Sequence, residues 1–286
     1  DWSSNVCSSD LAVPGAPPTS CMSPHNHVDS IIALDIDTGA INWGARGQVP
    51  DTWNVACGLN EPGIITVVPA PFFPGVYGNC PNGDPVTAGP DSDFAQGPML
   101  LGGGLVGAGQ KSRVFWAFDL RTGALAWRTQ VAPGGITGGL QLGSATDGRS
   151  IFVAAANSGT AMAGAGSGAL PWRLKDGTTT TSGGWAALDR RTGAILWTTK
   201  DPIGSRAEAA VSATNDVVFG CNLAPGVGRM VAMNARTGAI LWSFDSGAPC
   251  NAGPSIAGST VYWGSGTYVG SLVGAPGPRK VFAFGL

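Results

Sequence analysis

Two pairs of residues have side chains whose types and spacing could perform chemistry. His25 and His27 alternate along a stretch that reads as extended, so both imidazoles could hold one transition-metal ion. A metal site would need a third ligand, and the alternative is a pair of surface or rim histidines. Asp91 and Asp93 alternate in the same way, and their carboxylates could bind calcium or stay solvated in a loop. Neither pair identifies a reaction, so the chemistry depends on the elements that position these groups.

The composition favours many short strands joined by tight turns. The 286 residues include 45 Gly and 21 Pro, 43% are hydrophobic and only 12% are charged. The net charge of −2, without any run of Lys or Arg, gives no electrostatic surface for nucleic acid or an anionic membrane. No apolar run approaches the length that spans a bilayer, so no membrane span is predicted.

The cysteines leave the redox compartment open. None of the six lies in a CxxC or CxxCH motif, which argues against a zinc knuckle or attached haem. Two pairs could close loops as disulfides, as in periplasmic or secreted proteins, and the alternative is free buried thiols. These pairs are Cys57 with Cys80 and Cys221 with Cys250.

The first eleven residues differ from everything that follows. They carry no strand or helix pattern and look like a translated sequencing-adapter scar. We therefore expect residues 1–11 to be a non-native tail and residues 12–286 to form the folded part.

A seven-residue hairpin pattern occurs four times. Each copy follows an apolar run that ends in Asp or Asn, contains Thr-Gly, and ends in Trp. The Asp or Asn can accept turn amides, the Gly supplies a positive φ, and the Trp can pack against a neighbouring sheet. The copies are Asp37–Trp43, Arg121–Trp127, Arg191–Trp197 and Arg236–Trp242.

Such hairpins cannot bury their own apolar face, so their repetition predicts sheets stacked on one another. The last two glycines of the pattern, Gly193 and Gly238, lie 45 residues apart, which is the length of one propeller blade. The strand patterns between the copies predict three whole blades, a hairpin before them and a three-stranded blade after them. The expected fold is an all-β partial β-propeller of about four to five blades.

Longer strings resemble one family. "NHVDSIIALDIDTGAINW", "GPDSDFAQGPML", "GAGQKSRVFWAFD", "GGLQLGSATDG" and "AGPSIAGSTVYWGSG" occur in family order. Together they resemble quinoprotein alcohol dehydrogenases of the polyvinyl-alcohol dehydrogenase type, which use pyrroloquinoline quinone (PQQ). The resemblance implies an eight-bladed propeller with tryptophan-docking repeats, of which this chain would be the C-terminal part.

The resemblance also implies an activity. Members of this family oxidise secondary alcohols or polymeric diols with PQQ and pass the electrons to a cytochrome c in the periplasm or outside the cell. A Ca²⁺ ion polarises the quinone, and a carboxylate removes the alcohol proton. The alternative is a non-catalytic PQQ-repeat propeller that serves as a periplasmic interaction or assembly scaffold.

Five residues match positions that carry roles in the family. Lys111 lies eight residues before the Asp of its hairpin and would donate to a PQQ carbonyl, unless it is an exposed strand-end lysine. Gln141 keeps the amide expected near the cofactor. His25 occupies the place of the catalytic Asp, and Asn26 is retained beside it as a metal ligand. Trp263 would contact the cofactor or pack in the core.

Overall fold

The computed structural model describes residues 27–47, 93–133, 138–157, 170–214, 216–266 and 277–285. Throughout these ranges the regular structure is β, and no residue is helical. Correspondingly, the described residues contain no helix that is long and apolar enough to cross a membrane. The chain divides into two compact units, Asp1–Asp93 and Phe94–Leu286.

The described part of the first unit is one antiparallel hairpin, formed by β1 (Ser30–Leu34) and β2 (Ile41–Arg46). Its turn is held by the side chain of Asp35, whose Oδ1 accepts hydrogen bonds from the backbone amide and the hydroxyl of Thr38 at 2.8 and 2.7 Å. Gly39 has φ +71°, a conformation that costs glycine nothing. The hairpin therefore forms as the repeat pattern predicts.

Most of the described residues of the second unit lie in four antiparallel blades. Blade 1 contains β3 (Met99–Gly102), β4 (Leu105–Gly109), β5 (Val114–Asp119) and β6 (Leu125–Gln130). Blade 2 contains β7 (Ala145–Thr146), β8 (Ser150–Ala155), β11 (Gly184–Asp189) and β12 (Ile195–Lys200). Blade 3 contains β13 (Ser212–Thr214), β14 (Val217–Cys221), β15 (Arg229–Asn234) and β16 (Ile240–Asp245). Blade 4 contains β17 (Ser255–Ala257), β18 (Thr260–Ser265) and β19 (Lys280–Gly285).

This division confirms the predicted fold: an all-β chain with three four-stranded blades, a three-stranded blade and a preceding hairpin. One element was not predicted. A small hairpin of β9 (Trp172–Arg173) and β10 (Thr179–Thr180) lies between β8 and β11 in the chain, outside the four-stranded sheet of blade 2. The indole of Trp172 is buried and donates to the carbonyl of Val131 at 3.0 Å, which ties this hairpin to blade 1.

Tryptophans of the repeat join consecutive blades. Trp127 of blade 1 donates from Nε1 to the carbonyl of Arg190 in blade 2 at 3.0 Å. Its ring fills the space beside Gly193, where an added Cβ would lie 2.4 Å from a ring carbon. Trp197 of blade 2 packs on Gly238 of blade 3 in the same way, at 2.5 Å. The predicted docking role is confirmed at both junctions.

The junction between blades 3 and 4 is different. Trp242 remains 38% exposed and meets Phe284 of β19 edge-on, with ring centroids 5.0 Å apart. A disulfide between Cys221 and Cys250 crosses this junction, and it confirms one of the two predicted pairings. The other cysteine pair, Cys57 with Cys80, lies outside the described residues.

The hydrophobic core is divided among the spaces between blades. One buried cluster joins blades 1 and 2, a second joins blades 2 and 3, and a third joins blades 3 and 4. The largest fully buried side chains in the second and third clusters are Trp185 and Trp263, which are 0% and 1% exposed. Blades 2 and 3 each pack against a neighbour on both faces, and blades 1 and 4 against one neighbour, so the blades stabilise one another.

Candidate active site

The candidate site is built from the residues that immediately precede the first strand of each blade. We call these the pre-strand segments: residues 94–98, 138–144, 205–211 and 249–254. The segment of blade 2 is tied to two blades by backbone hydrogen bonds. The amide of Leu140 donates to the carbonyl of Gln110 in blade 1 at 3.1 Å, and the carbonyl of Gly139 accepts from Ala156 in blade 2 at 3.0 Å.

The same pair of bonds recurs at blade 4. The amide of Cys250 donates to the carbonyl of Asn222 in blade 3 at 3.0 Å, and the carbonyl of Pro249 accepts from Gly266 at 3.0 Å. In blade 3, the carbonyl of Arg206 accepts from Leu223, also at 3.0 Å. Gly139, Arg206 and Pro249 accept equivalent backbone hydrogen bonds, so they hold the same position in their blades although their side chains differ.

Small residues bring the segments of blades 2, 3 and 4 side by side. A Cβ added to Gly143 would lie 3.1 Å from the Cβ of Ala210, and one added to Gly253 would lie 2.9 Å from the same atom. The first strand of blade 3, β13, accordingly contacts both β7 and β17. Side chains larger than these would push the three segments apart.

Polar side chains occupy one shared position, two residues before each of these small residues. Gln141 holds it in blade 2, Glu208 in blade 3 and Asn251 in blade 4, as the strand pairings fix. Ala95 holds it in blade 1 and forms a parallel bridge with Gln141. Three consecutive blades therefore present an amide, a carboxylate and an amide from equivalent points.

Gln141, one of the predicted site residues, is 9% exposed. Its Nε2 donates to the carbonyl of Gly138 at 2.9 Å, and its own carbonyl accepts from Nε2 of Gln96 at 3.2 Å. The Oε1 of Gln96 accepts from the hydroxyl of Ser144 at 2.7 Å. Gln96 thereby fixes the segment of blade 2 against blade 1.

Lys111 lies in the turn between β4 and β5 and is half-buried. Its backbone packs against Gly139, where an added Cβ would lie 2.1 Å from the Lys111 carbonyl oxygen. Gly139 has φ +75° and precedes Gln141 by two residues. The structure therefore places the backbone of Lys111 against the segment of Gln141, and the cofactor-binding roles of both residues stay predictions.

Arg206 and Glu208 form an ion pair that sequence analysis missed. Both side chains are buried, at 8% and 10% exposure, and the guanidinium Nη2 donates to Glu208 Oε2. Burial raises the pKa of Glu208 above its usual value, while the charge and hydrogen bond of Arg206 act in the opposite direction.

The loop that leads to this pair is held by a buried carboxylate. Oδ1 of Asp201 accepts from the amide of Ser205 at 2.9 Å, and Oδ2 accepts from the side-chain amide of Asn222 at 2.7 Å. Burial raises the pKa of Asp201, against the lowering effect of these hydrogen bonds. Asp201 is thus engaged in shaping the loop before Arg206.

Asn251 was also missed. Its Oδ1 is buried and has no hydrogen-bond partner among the described residues. The preceding residue, Cys250, is bonded to Cys221, so a covalent link and a backbone hydrogen bond hold this segment to blade 3 together.

Trp263, a predicted cofactor contact, lies on β18 inside the core. It is 1% exposed, donates from Nε1 to the carbonyl of Ala252 at 2.8 Å, and meets Phe219 edge-on. These contacts match the packing alternative, and a role toward the cofactor stays a prediction. His25 and Asn26 lie outside the described residues, as do Asp91 and the tail of residues 1–11.

Nowhere in the described ranges do three or more His, Cys, Asp or Glu side chains cluster as metal ligands. A quinone with carbonyl and carboxylate oxygens requires cations and amide donors. Lys111 and Gln141 carry groups of this type, and the backbone of Lys111 lies against Gly139 of the Gln141 segment.

The chain is similar in sequence to one family model and to two named dehydrogenases. The PQQ_2 family model, described as outer membrane protein assembly factor BamB, matches residues 181–273. A polyvinylalcohol dehydrogenase of Sphingopyxis sp. (strain 113P3) is 27% identical over 179 residues, covering 61% of this chain and 22% of the relative. A polyvinylalcohol dehydrogenase of Pseudomonas sp. is 28% identical over 261 residues, covering 85% of this chain and 36% of the relative.

Among solved structures, the quinohemoprotein alcohol dehydrogenase from Comamonas testosteroni matches with a TM-score of 0.41 and 16% identity. That match covers 62% of this chain and 30% of the other. The chain spans about a third or less of the length of the polyvinylalcohol dehydrogenases that it matches. The sequence relatives, the family model and the blade architecture together confirm the resemblance inferred above, to the PQQ-type dehydrogenase propellers.

Proposed function

We propose that this chain is part of a PQQ-dependent alcohol dehydrogenase. Its substrates are secondary alcohols or polymeric diols of the polyvinyl-alcohol kind, and its electrons pass to a cytochrome c. Two relatives named polyvinylalcohol dehydrogenase support the substrate class. The disulfide between Cys221 and Cys250 supports a periplasmic or secreted location, since such bonds persist in oxidising compartments.

The observation that carries the proposal is the packing of the Lys111 turn against the pre-strand segment of blade 2. Two residues that match cofactor-binding positions of the family, Lys111 and Gln141, thereby belong to one local structure. Bound PQQ would supply a two-electron oxidant, and Lys111 would donate to one of its carbonyls. The proposed Ca²⁺ ion would be bound by Asn26, and His25 would stand at the position of the base.

Reconstitution tests this function directly. The purified chain is incubated with micromolar PQQ and Ca²⁺, and the quinone spectrum and dye reduction with pentane-2,4-diol are measured. We expect Lys111→Gln to weaken PQQ binding and to slow dye reduction. Lys175→Gln removes the same charge from an exposed turn of the β9–β10 hairpin and serves as the matched control. A chain that binds no PQQ under these conditions would contradict the proposal.

The base position has its own test. If His25 replaces an Asp of the family, His25→Asp should increase the rate of alcohol-dependent dye reduction. An unchanged rate would remove His25 from the proposed site.

A second candidate function is a non-catalytic scaffold for periplasmic interaction or assembly. The observation in its favour is the family model described as outer membrane protein assembly factor BamB, which matches residues 181–273. A scaffold would bind protein partners with or without PQQ. An alcohol dehydrogenase would require PQQ for every turnover, so the reconstitution experiment separates the two.

A further inference from the structure

Arg206 and Glu208 form a buried ion pair in the pre-strand segment of blade 3, and the blade fold itself gives no reason for charges at this position. The two residues alternate along an extended segment, so their side chains leave the backbone on the same side. In blade 2 the equivalent residues are Gly139 and Gln141, and the equivalent backbone hydrogen bond has the same length.

Blade 4 gives the same comparison with another pair of neutral residues. Pro249 and Asn251 occupy the equivalent positions there, and the carbonyl of Pro249 accepts the equivalent hydrogen bond. Two of the three contacting segments therefore form without any charge. The fold does not need a charged pair at this position of blade 3.

Stability does not explain the pair either. Moving a guanidinium and a carboxylate out of water costs several kcal/mol for each ion, and their attraction often does no more than compensate for this cost. Buried carboxylates with a specific charged partner are concentrated at functional sites. Glu208 is therefore better explained by chemistry than by folding.

Glu208 and Asn251 hold the same position in two contacting segments, and both carry oxygens that accept hydrogen bonds. A carboxylate has about four acceptor positions, and the contact with Arg206 Nη2 uses one of them. In the adjacent segment, the buried Oδ1 of Asn251 is a further acceptor that no described residue satisfies. Both groups can accept a hydrogen bond from an alcohol, and neither can donate one to it through these oxygens.

We infer that Glu208, and not His25 at the family position of the base, receives the hydroxyl proton of the alcohol substrate, with Arg206 holding the carboxylate in place. This inference rests on the proposed function. Oxidation of a secondary alcohol to a ketone breaks the O–H and carbinol C–H bonds. The proton passes to Glu208, which becomes a carboxylic acid, and the hydrogen on carbon leaves with two electrons to the quinone cofactor. Burial, which raises the pKa of Glu208, helps the side chain to retain that proton.

The sequence offers a selective probe of this inference. The chain contains only two glutamates, Glu61 and Glu208, so labelling glutamate with ¹³C at the carboxyl gives two signals. Glu208→Gln assigns them by removing one. We expect pentane-2,4-diol to shift the Glu208 signal and to leave the Glu61 signal in place. A Glu208 signal that does not move at saturating diol overturns the inference, whether or not the chain turns over.

Activity gives the second readout. Glu208→Gln should lower PQQ-dependent oxidation of the diol by about 100-fold or more, the usual contribution of a general base, without weakening PQQ binding. Arg206→Gly combined with Glu208→Gln copies the residues of blade 2 into blade 3. This double variant should fold and bind PQQ like the parent and remain equally inactive, which excludes loss of folding as the cause.

The matched control removes an exposed ion pair from the same blade. Asp216→Asn with Arg236→Gln eliminates the 3.4 Å pair on the surface of blade 3 and should leave the oxidation rate unchanged. If the parent binds PQQ but oxidises no alcohol, the proposed function fails and the ¹³C experiment alone decides the role of Glu208. If the Glu208 variants oxidise the diol within a few-fold of the parent rate, the inference is wrong and the proposed function stands.

Discussion

The hairpins that carry the repeat and the pre-strand segments of the same blades have diverged to very different degrees. The hairpins of blades 2 and 3 share seven identical letters, and their tryptophans dock on glycines in the same way. The pre-strand segments of blades 2, 3 and 4 share one backbone hydrogen bond but carry Gln141, Glu208 and Asn251 at one equivalent position. Repetition in this chain therefore maintains the stacking of blades, and the side chains that vary are the polar groups of the candidate site.

The largest expected effect breaks the stacking. Trp197→Ala should lower the free energy of unfolding by about 3–5 kcal/mol, because it empties a buried site between blades 2 and 3. Trp242→Ala is the matched variant in the next repeat, and it should cost less because that ring is 38% exposed. Denaturant unfolding measures both. Equal losses of stability in the two variants would show that the deeper burial of Trp197 does not make it more stabilising than Trp242.

The disulfide is the next largest contribution. Cys221→Ala with Cys250→Ala should lower the free energy of unfolding by about 3–4 kcal/mol, the value for a closed loop of this size; the two cysteines are 29 residues apart. Thermal unfolding without reductant measures the loss. The same substitutions at Cys57 and Cys80 test the second predicted pair. A double variant at 221 and 250 as stable as the parent would show that packing alone holds blade 4.

A smaller effect is expected at the hairpin turn. Asp189→Ala should lower the free energy of unfolding by about 1 kcal/mol, because the carboxylate accepts from the amide and hydroxyl of Thr192, both at 2.8 Å. Asp189→Asn should cost less, since Asn234 already accepts the equivalent amide in blade 3 at 3.0 Å.

The pH dependence of that contribution follows from the same hydrogen bonds. The bonds from Thr192 lower the pKa of Asp189, so its stabilisation is present at neutral pH and is lost as the pH falls through the lowered value. The free energy of unfolding should fall further with acid in the parent than in Asp189→Asn, because other carboxylates with a lowered pKa, such as Asp119, are present in both proteins. A parallel dependence in both would assign it to other carboxylates.

The smallest effect on neutral-pH stability is expected for the buried ion pair. Arg206→Gly with Glu208→Gln should change the free energy of unfolding by about 1 kcal/mol or less, because buried pairs contribute little net stability. The raised pKa of Glu208 means that its favourable contribution is present at acidic pH and lost as the pH rises through the folded value.

Relative to the parent, the double variant should therefore become more stable as the pH rises through that range. Asp201, whose pKa is also raised by burial, is present in both proteins, so its contribution cancels to first order. A difference between the two proteins that does not change with pH would show that Glu208 keeps its ordinary pKa.

The hairpins could be predicted from sequence because their signals are local. An Asp or Asn, a Thr and a Gly within a few residues determine a turn. The Trp that ends the pattern predicts packing against the next sheet. Gly39, Gly123, Gly193 and Gly238 all adopt the positive φ that this pattern requires. Lys111 and Gln141 were identified from the family pattern alone, and their roles toward a cofactor stay predictions.

Glu208 and Asn251 could not be found in this way. The letters "SAT" occur at 144–146 and again at 212–214, and matching them would set Glu208 one residue away from its true partner in blade 2. The strand pairings instead place Ala145 opposite Phe152 and Ser212 opposite Phe219 in equivalent positions. Only this register, which depends on contacts between strands, shows that Glu208 corresponds to Gln141.

The covalent link between Cys221 and Cys250 also has a practical consequence for recombinant work. Cys250 adjoins Asn251, so a preparation made in a reducing cytoplasm will contain chains whose last blade is joined to its neighbour by packing alone. The thiol content of each batch, measured before any assay with quinone, then separates a chain that lacks activity from one that was never oxidised to its mature form.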